Sequence, residues 1–220
     1  LLLNALESRF LSLKITSKTD PILYLVCGII CNLRENYDAD LIRSFRLNEV
    51  QFKTKNFQTS VKNIYAIGDT IMGPMLAHKA SDDGFEVLKS IFNENSTQTS
   101  LIPSCIYCQP EIASIGYTED YLKKENIKYK KSSFPFKANG KALAQNQVQG
   151  LCKILVNQEG KILGAHIIGK GATEMISEIS LAMTNNLTID KIAKTIHPHP
   201  TLSEIIHECS LELSNIGRHI

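Results

Sequence analysis

Two apolar runs of strand length, Leu151–Val156 and Ile162–Ile168, stand on either side of the polar segment Asn157-Gln158-Glu159-Gly160. Runs this short, separated by a turn sequence that ends in Gly, are expected to fold back on each other as an antiparallel hairpin. Further short strands are expected near 104–107, 111–116 and 127–133, with a helix of about 118–125 between the last two. Helical patterns near 172–184, 188–195 and 200–214 close the chain. Strands followed by packed helices indicate an α+β domain.

The first hundred residues have a different texture. Ile22-Leu23-Tyr24-Leu25-Val26-Cys27 is a continuous apolar run ending at Gly28, the mark of a strand buried on both faces in a parallel sheet. A polar, irregular stretch over roughly 32–60 leads to a second short run, Ile64-Tyr65-Ala66-Ile67, ending at Gly68-Asp69. After Gly73-Pro74 a helix is expected from about Met75 to Phe92, with Leu76, Ala80, Val87, Leu88 and Ile91 as its buried stripe. The polar segment Asn93–Ser100 is the best candidate boundary. The expected class is therefore α/β followed by α+β.

Charge narrows the function. Lys and Arg number 24 against 22 Asp and Glu, with no segregated basic run, so neither nucleic-acid nor membrane-surface binding is expected. Asn4, Glu7 and Arg9 interrupt the apolar core a signal peptide needs, and no run reaches membrane-span length. Leu3, Leu6, Phe10 and Leu13 fall on one helical face, and the start without Met suggests a fragment or trimmed chain. The chain's six cysteines are too few for a disulfide scaffold, and Cys27, Cys105 and Cys152 sit in apolar runs, which fits a reducing compartment. Cys105 and Cys108 have C-x-x-C spacing, open to a redox dithiol or half a zinc site, but the surrounding residues read as a short strand ending at Pro110.

Chemistry concentrates in two places. A buried strand ending in Gly68-Asp69 puts a carboxylate at the sheet edge where ligands of open α/β folds bind, although Asp69 could equally cap a loop. The helix start after Gly73-Pro74 offers unpaired N–H groups to an anion, with the backbone near His78, more than its side chain, as the expected contact. In the second place His197, His199, Glu204 and His207 cluster. Pro200 suits the first position of a helix, which would set His199 at the entrance and Glu204 about one turn in, able to reach back. A carboxylate beside an imidazole orients the ring, selects its tautomer and raises its pKa, as proton exchange with thiols requires. Surface capping, or a zinc site from His197, His199 and His207, are the alternatives; no acidic or Cys ligand stands at standard zinc spacing, and no metal is expected.

Ile64–Asp69 followed by Gly73-Pro74-Met75-Leu76-Ala77-His78-Lys79-Ala80 resembles the flavin-binding return segment of the dihydrolipoamide dehydrogenase family. Ile102-Pro103-Ser104, Pro110–Gly116, Phe134–Asn139, Ile162–Gly169 and His197–Glu204 match it in order, so the resemblance runs from about residue 57 to the end. It implies remnants of FAD- and NAD-binding α/β domains (1–40 from the NAD domain, 41–98 from the FAD domain) followed by an α+β dimerisation domain, 99–220. It further implies that Asp69 binds the ribityl chain and the backbone of Met75, Leu76, Ala77 and His78 the isoalloxazine ring of FAD. His199 would be the acid/base and Glu204 its partner, completing the active site of the other subunit of a homodimer. Electrons would pass from dihydrolipoamide to a redox disulfide, to FAD and to NAD+, with lipoyl groups of a 2-oxo-acid dehydrogenase complex as partners, in bacterial cytoplasm or mitochondrial matrix. Leu202-Ser203-Glu204 points to the lipoamide branch of the family.

Departures from the family pattern count too. The chain has no G-x-G-x-x-G fingerprint and no C-x-x-x-x-C redox disulfide, and Gly28-Ile29-Ile30-Cys31-Asn32 stands where the family has Gly-Arg-x-Pro-Asn, so residues 14–56 match poorly. The polypeptide alone is expected to be inactive. The competing expectation is a relic that serves only as a dimerisation module.

Overall fold

The computed structural model describes residues 24–27, 56–59, 64–92 and 101–214. The helical pattern of Leu3–Leu13, the segment Gly28–Asn32, most of the polar stretch 32–60 and the boundary segment Asn93–Ser100 lie outside the described residues. The chain divides into two compact units, residues 1–98 and 99–220.

In the first unit the apolar run becomes strand β1 (Tyr24–Cys27), parallel to β2 (Ile64–Ile67), with Tyr24 opposite Ile64 and Cys27 opposite Ile67. A 3-10 turn, Gly68–Thr70, leads toward helix α1, which spans Ala77–Ile91 and so begins two residues after the expected Met75. Its buried face departs from the expected apolar stripe. Ala80 and Val87 are buried, Leu76, Leu88 and Ile91 only half so, while Lys79, Asp83 and Glu86 are buried as well. Lys79 and Asp83 can be there because they neutralise each other at 2.6 Å. Gly84 is buried on the side of α1 that faces β2, where a Cβ would make only an ordinary contact, 3.8 Å, with Ile67 Cδ1.

The second unit is built on one antiparallel five-stranded sheet in the order β3-β4-β7-β6-β5. The strands are β3 (Ser104–Ile106), β4 (Ile112–Gly116), β5 (Lys130–Pro135), β6 (Leu151–Val156) and β7 (Ile162–Ile168). The β6–β7 hairpin forms with the bounds read from sequence, closed by Asn157 Oδ1 accepting from the N–H of Glu159 and Lys161, with Gly160 at φ 82°. Period-two alternation gives the sheet two unlike faces. Ala113, Ile115, Phe134, Cys152, Ile154, Ala165 and Ile167 point into the core, while Ser114, Ser133, Lys153 and His166 pair across strands on the other face.

The helices of this unit are α2 (Glu119–Lys124), α3 (Gly140–Ala144), α4 (Ala172–Thr184), α5 (Ile189–Lys194) and α6 (Glu204–Leu213). α4 and α6 cover the apolar face, while Glu119 of α2 bonds Lys153 on the other. Ile176, Ile179, Ala182 and Met183 of α4, with Ile205, Ile206 and Cys209 of α6, complete the core. Each fully buried Ile contributes roughly 1.5–3 kcal/mol. β5 starts at Lys130, later than the expected 127, because Asn126 (φ 54°) and the bond from Ile127 N–H to Leu122 O, 2.9 Å, use those residues to close α2. α6 likewise starts at Glu204 instead of Pro200, since residues 198–203 form their own hydrogen-bonded loop.

Candidate active site

The loop between α5 and α6 carries His197-Pro198-His199-Pro200-Thr201-Leu202-Ser203. Pro198 and Pro200 supply no N–H, so the segment cannot join a helix ladder and is held by side chains. Thr201 Oγ1 donates to Pro198 O at 2.8 Å, and the buried Asn139 donates from Nδ2 to Thr201 O at 3.0 Å. Asn139 is itself fixed, its Oδ1 accepting from Ala142 N–H at the start of α3. Leu202 packs against the core cluster.

At the tip of this loop His199 Nδ1 donates to Glu204 Oε1 at 2.9 Å, and Glu204 Oε2 accepts the N–H of Thr201 at 2.8 Å. Glu204 is the first residue of α6 and not one turn inside it, and His199 stands five residues ahead instead of at the entrance. The reach back from Glu204 still occurs, since Thr201-x-x-Glu204 has capping-box spacing. Burial pushes the Glu204 carboxyl up, but the bonds from Thr201 N–H and His199 outweigh it and hold the group below its ordinary value. The His199 side chain is 77% exposed and that of Glu204 23%. A carboxylate only accepts, so Nδ1 of His199 carries the proton toward Glu204 and Nε2 presents a lone pair outward. That arrangement can take a proton from a group arriving from solvent and give it back.

The neighbouring histidines are engaged elsewhere. His197 contacts Glu178 Oε1 at 2.9 Å and Thr195 O at 3.0 Å, and its ring stacks on His207 with centroids 4.5 Å apart. His207 Nε2 donates to Ala193 O at 3.1 Å. A zinc site from His197, His199 and His207 is not assembled: both His197 nitrogens and His207 Nε2 contact protein oxygens, and among the described residues no group of three or more His, Cys, Asp or Glu is placed to hold a metal. Cys105 and Cys108 are free thiols, the first half-buried in β3 and the second exposed, its Sγ 3.0 Å from Pro110 O.

In the first unit Asp69 is exposed on the turn that leaves the carboxyl end of β2, just after the buried Gly68 (φ 65°). Leu76, the N-cap of α1, provides no side-chain cap, and Met75 is 69% exposed. Ala77 and His78 are exposed and Leu76 is half-buried. Sequence reasoning missed the pair that holds this turn: Asp83 Oδ2 accepts both Gly68 N–H, at 3.0 Å, and Lys79 Nζ, at 2.6 Å. Asn139 and Glu178 were missed as well. Only the i,i+4 spacing of Lys79 and Asp83 was available as a clue.

Comparison with known proteins identifies the fold of the second unit. Residues 102–210 match the pyridine nucleotide-disulphide oxidoreductase dimerisation domain. The chain is 46% identical to dihydrolipoyl dehydrogenase of Bacillus subtilis over 158 residues, which is 71% of this chain and 34% of that protein. It is 45% identical to the mitochondrial dihydrolipoyl dehydrogenase of Sus scrofa over 160 residues, 72% of this chain and 31% of that protein. The chain thus spans about a third of the length of these relatives. Its fold resembles LpdA from Mycobacterium tuberculosis (TM-score 0.69, 24% identity, 76% of this chain and 37% of that one). It also resembles the HOCl-induced flavoprotein disulfide reductase RclA from Escherichia coli (TM-score 0.69, 21% identity, 74% and 39%). By its antiparallel five-stranded sheet and by these matches, the segment 102–210 belongs to the pyridine nucleotide-disulphide oxidoreductase dimerisation domain family.

Proposed function

We propose that this chain is the carboxyl-terminal part of a dihydrolipoyl dehydrogenase, which oxidises dihydrolipoamide with FAD as carrier and NAD+ as acceptor. The observation that carries the reading is the 2.9 Å contact of His199 Nδ1 with Glu204, on a ring otherwise open to solvent. His199 Nε2 takes the proton of a dihydrolipoamide thiol and returns it to the departing thiolate, while Glu204 steadies the transient imidazolium. On this reading residues 1–40 end the NAD-binding domain, 41–98 end the FAD-binding domain, and 99–220 form the homodimer through which the pair serves the partner subunit's disulfide. The lipoyl groups of a 2-oxo-acid dehydrogenase complex are the substrate, in bacterial cytoplasm or the mitochondrial matrix.

The residues of the first unit suit a flavin. Asp69 is exposed to accept from ribityl hydroxyls, α1 begins without a side-chain cap, and Met72 and Met75 leave apolar surface, 68% and 69% exposed, beside that start. Asp69 would hold the ribityl chain, and the backbone of Met75, Leu76, Ala77 and His78 the isoalloxazine ring. FAD, when bound, relays electrons between the disulfide and NAD+.

His199→Gln in the intact enzyme should lower lipoamide turnover by about 100-fold or more with flavin still bound, since positioned proton transfer is worth roughly 10²–10⁴-fold. Unchanged turnover would overturn the assignment. A second reading, a dimerisation module without catalysis, is favoured by the absence of a C-x-x-x-x-C pair and a G-x-G-x-x-G fingerprint from these 220 residues. Flavin absorbance of the purified chain separates the two.

A further inference from the structure

Next to the His199–Glu204 pair lies a second histidine–glutamate pair to which the proposed chemistry assigns no role. His197 Nε2 lies 2.9 Å from Glu178 Oε1 of α4, and His197 Nδ1 lies 3.0 Å from the carbonyl oxygen of Thr195. A carboxylate and a carbonyl can only accept, so both ring nitrogens have to donate, which only the imidazolium can do. A neutral ring would turn a lone pair toward one of these oxygens. The side chain is 5% exposed, so water is poorly placed to relieve that contact.

The surroundings are arranged for the cation. His207 of α6 lies parallel to the ring, with centroids 4.5 Å apart and planes 15° apart. Its Nε2 donates to Ala193 O at 3.1 Å, which fixes the ring so that its π face is turned to His197. The charged and titratable groups facing His197 from the packed elements are Glu178 on α4 and Glu204 and His207 on α6. The bond with Glu178 pushes His197 up, against the effect of burial.

We propose that His197 is a standing imidazolium at neutral pH, clamped between Glu178 and Thr195, that braces the loop so His199 keeps its Nδ1–H on Glu204 and its Nε2 bare. This deepens the lipoamide reading, on which it rests. His197 is a positioning residue, and His199 keeps the proton chemistry. The brace ties the loop to α4, and Glu204 ties it to α6, so His199 is held from both sides.

The test is ring-nitrogen NMR on the 220-residue chain, which distinguishes protonated from bare imidazole nitrogens. At pH 7 His197 should show two protonated nitrogens, and whatever fraction of His199 is neutral should hold the Nδ1–H tautomer that its Glu204 contact selects. As pH rises and His197 loses its proton, His199 should relax toward a mixture of tautomers with the same midpoint. Glu178→Gln should move that midpoint to lower pH. A bare nitrogen on His197 at pH 7, or a His199 tautomer that ignores His197, overturns the proposal, and the native chain suffices for both observations. No substrate or flavin enters. Loss of turnover in His199→Gln with an unmoved tautomer therefore sinks the brace alone, whereas coupled tautomers with undiminished turnover sink the lipoamide reading alone.

Discussion

Glu119 accepts from Lys153 Nζ at 2.8 Å, Lys131 Nζ at 3.1 Å and Tyr129 Oη at 3.0 Å, and these bonds, that of Lys153 foremost, hold its carboxyl down to about 2 from an ordinary 4.5. A folded-state value below the unfolded one means that stability is present above 4.5 and lost as pH falls from there toward 2. Lys131 is 57% exposed, so screening trims the network to on the order of 1 kcal/mol. The urea midpoint of the native chain should drop more steeply below about pH 5 than that of Glu119→Gln; parallel curves would refute the contribution. His197 acts at the other end: its folded value lies above 6.5, so its contribution is full below 6.5 and fades as pH rises through the folded value. His199 and Glu204 were legible in the sequence because they lie five residues apart, within one loop and its helix start. Asn139 and Glu178 were not, since they reach the loop from 62 and 19 residues away.

At the scale of elements, helix α4 borrows its cap. Gly171 at its N-cap has φ 72° and no side chain to offer, and Glu111, just ahead of β4, accepts instead from Gly171 N–H, Thr173 N–H and Thr173 Oγ1 at 3.2, 3.1 and 2.6 Å. The Thr173 hydroxyl bond contributes most to holding the Glu111 carboxyl low. Glu111→Ala should cost about 1 kcal/mol, as lost caps do, with Glu111→Gln recovering part of it in urea denaturation. Equal stability of the alanine variant would show the cap to be idle. α4 also carries Glu178, so its seating bears on the loop that holds His199. The start of α6 teaches a related lesson: Pro200 has the residue type of a first helical position, but a Thr201 N–H bonded to Glu204 delays the helix to Glu204.

At the scale of the whole molecule, the second unit exposes apolar side chains on its surface, among them Ile196 at 95%, Tyr107 at 83% and Leu181 at 66%. Exposed apolar surface on a dimerisation domain anticipates a partner. The purified chain should sediment at twice its monomer mass at micromolar concentration, and a monomer there would count against the homodimer. Within the sheet, Ile167 is fully buried on β7, flanked by β4 and β6, so Ile167→Ala should lower the stability of the unit by roughly 2–5 kcal/mol in urea denaturation. Sequence by itself determined the β6–β7 hairpin and the identity of the His199–Glu204 pair, because apolar runs, turn chemistry and short spacing are local properties. Only the tertiary structure decided the strand order, the burial of Lys79 with Asp83, and the clamping of His197 by Glu178. Those depend on which groups from distant segments meet where water is scarce, and no local pattern records such a meeting.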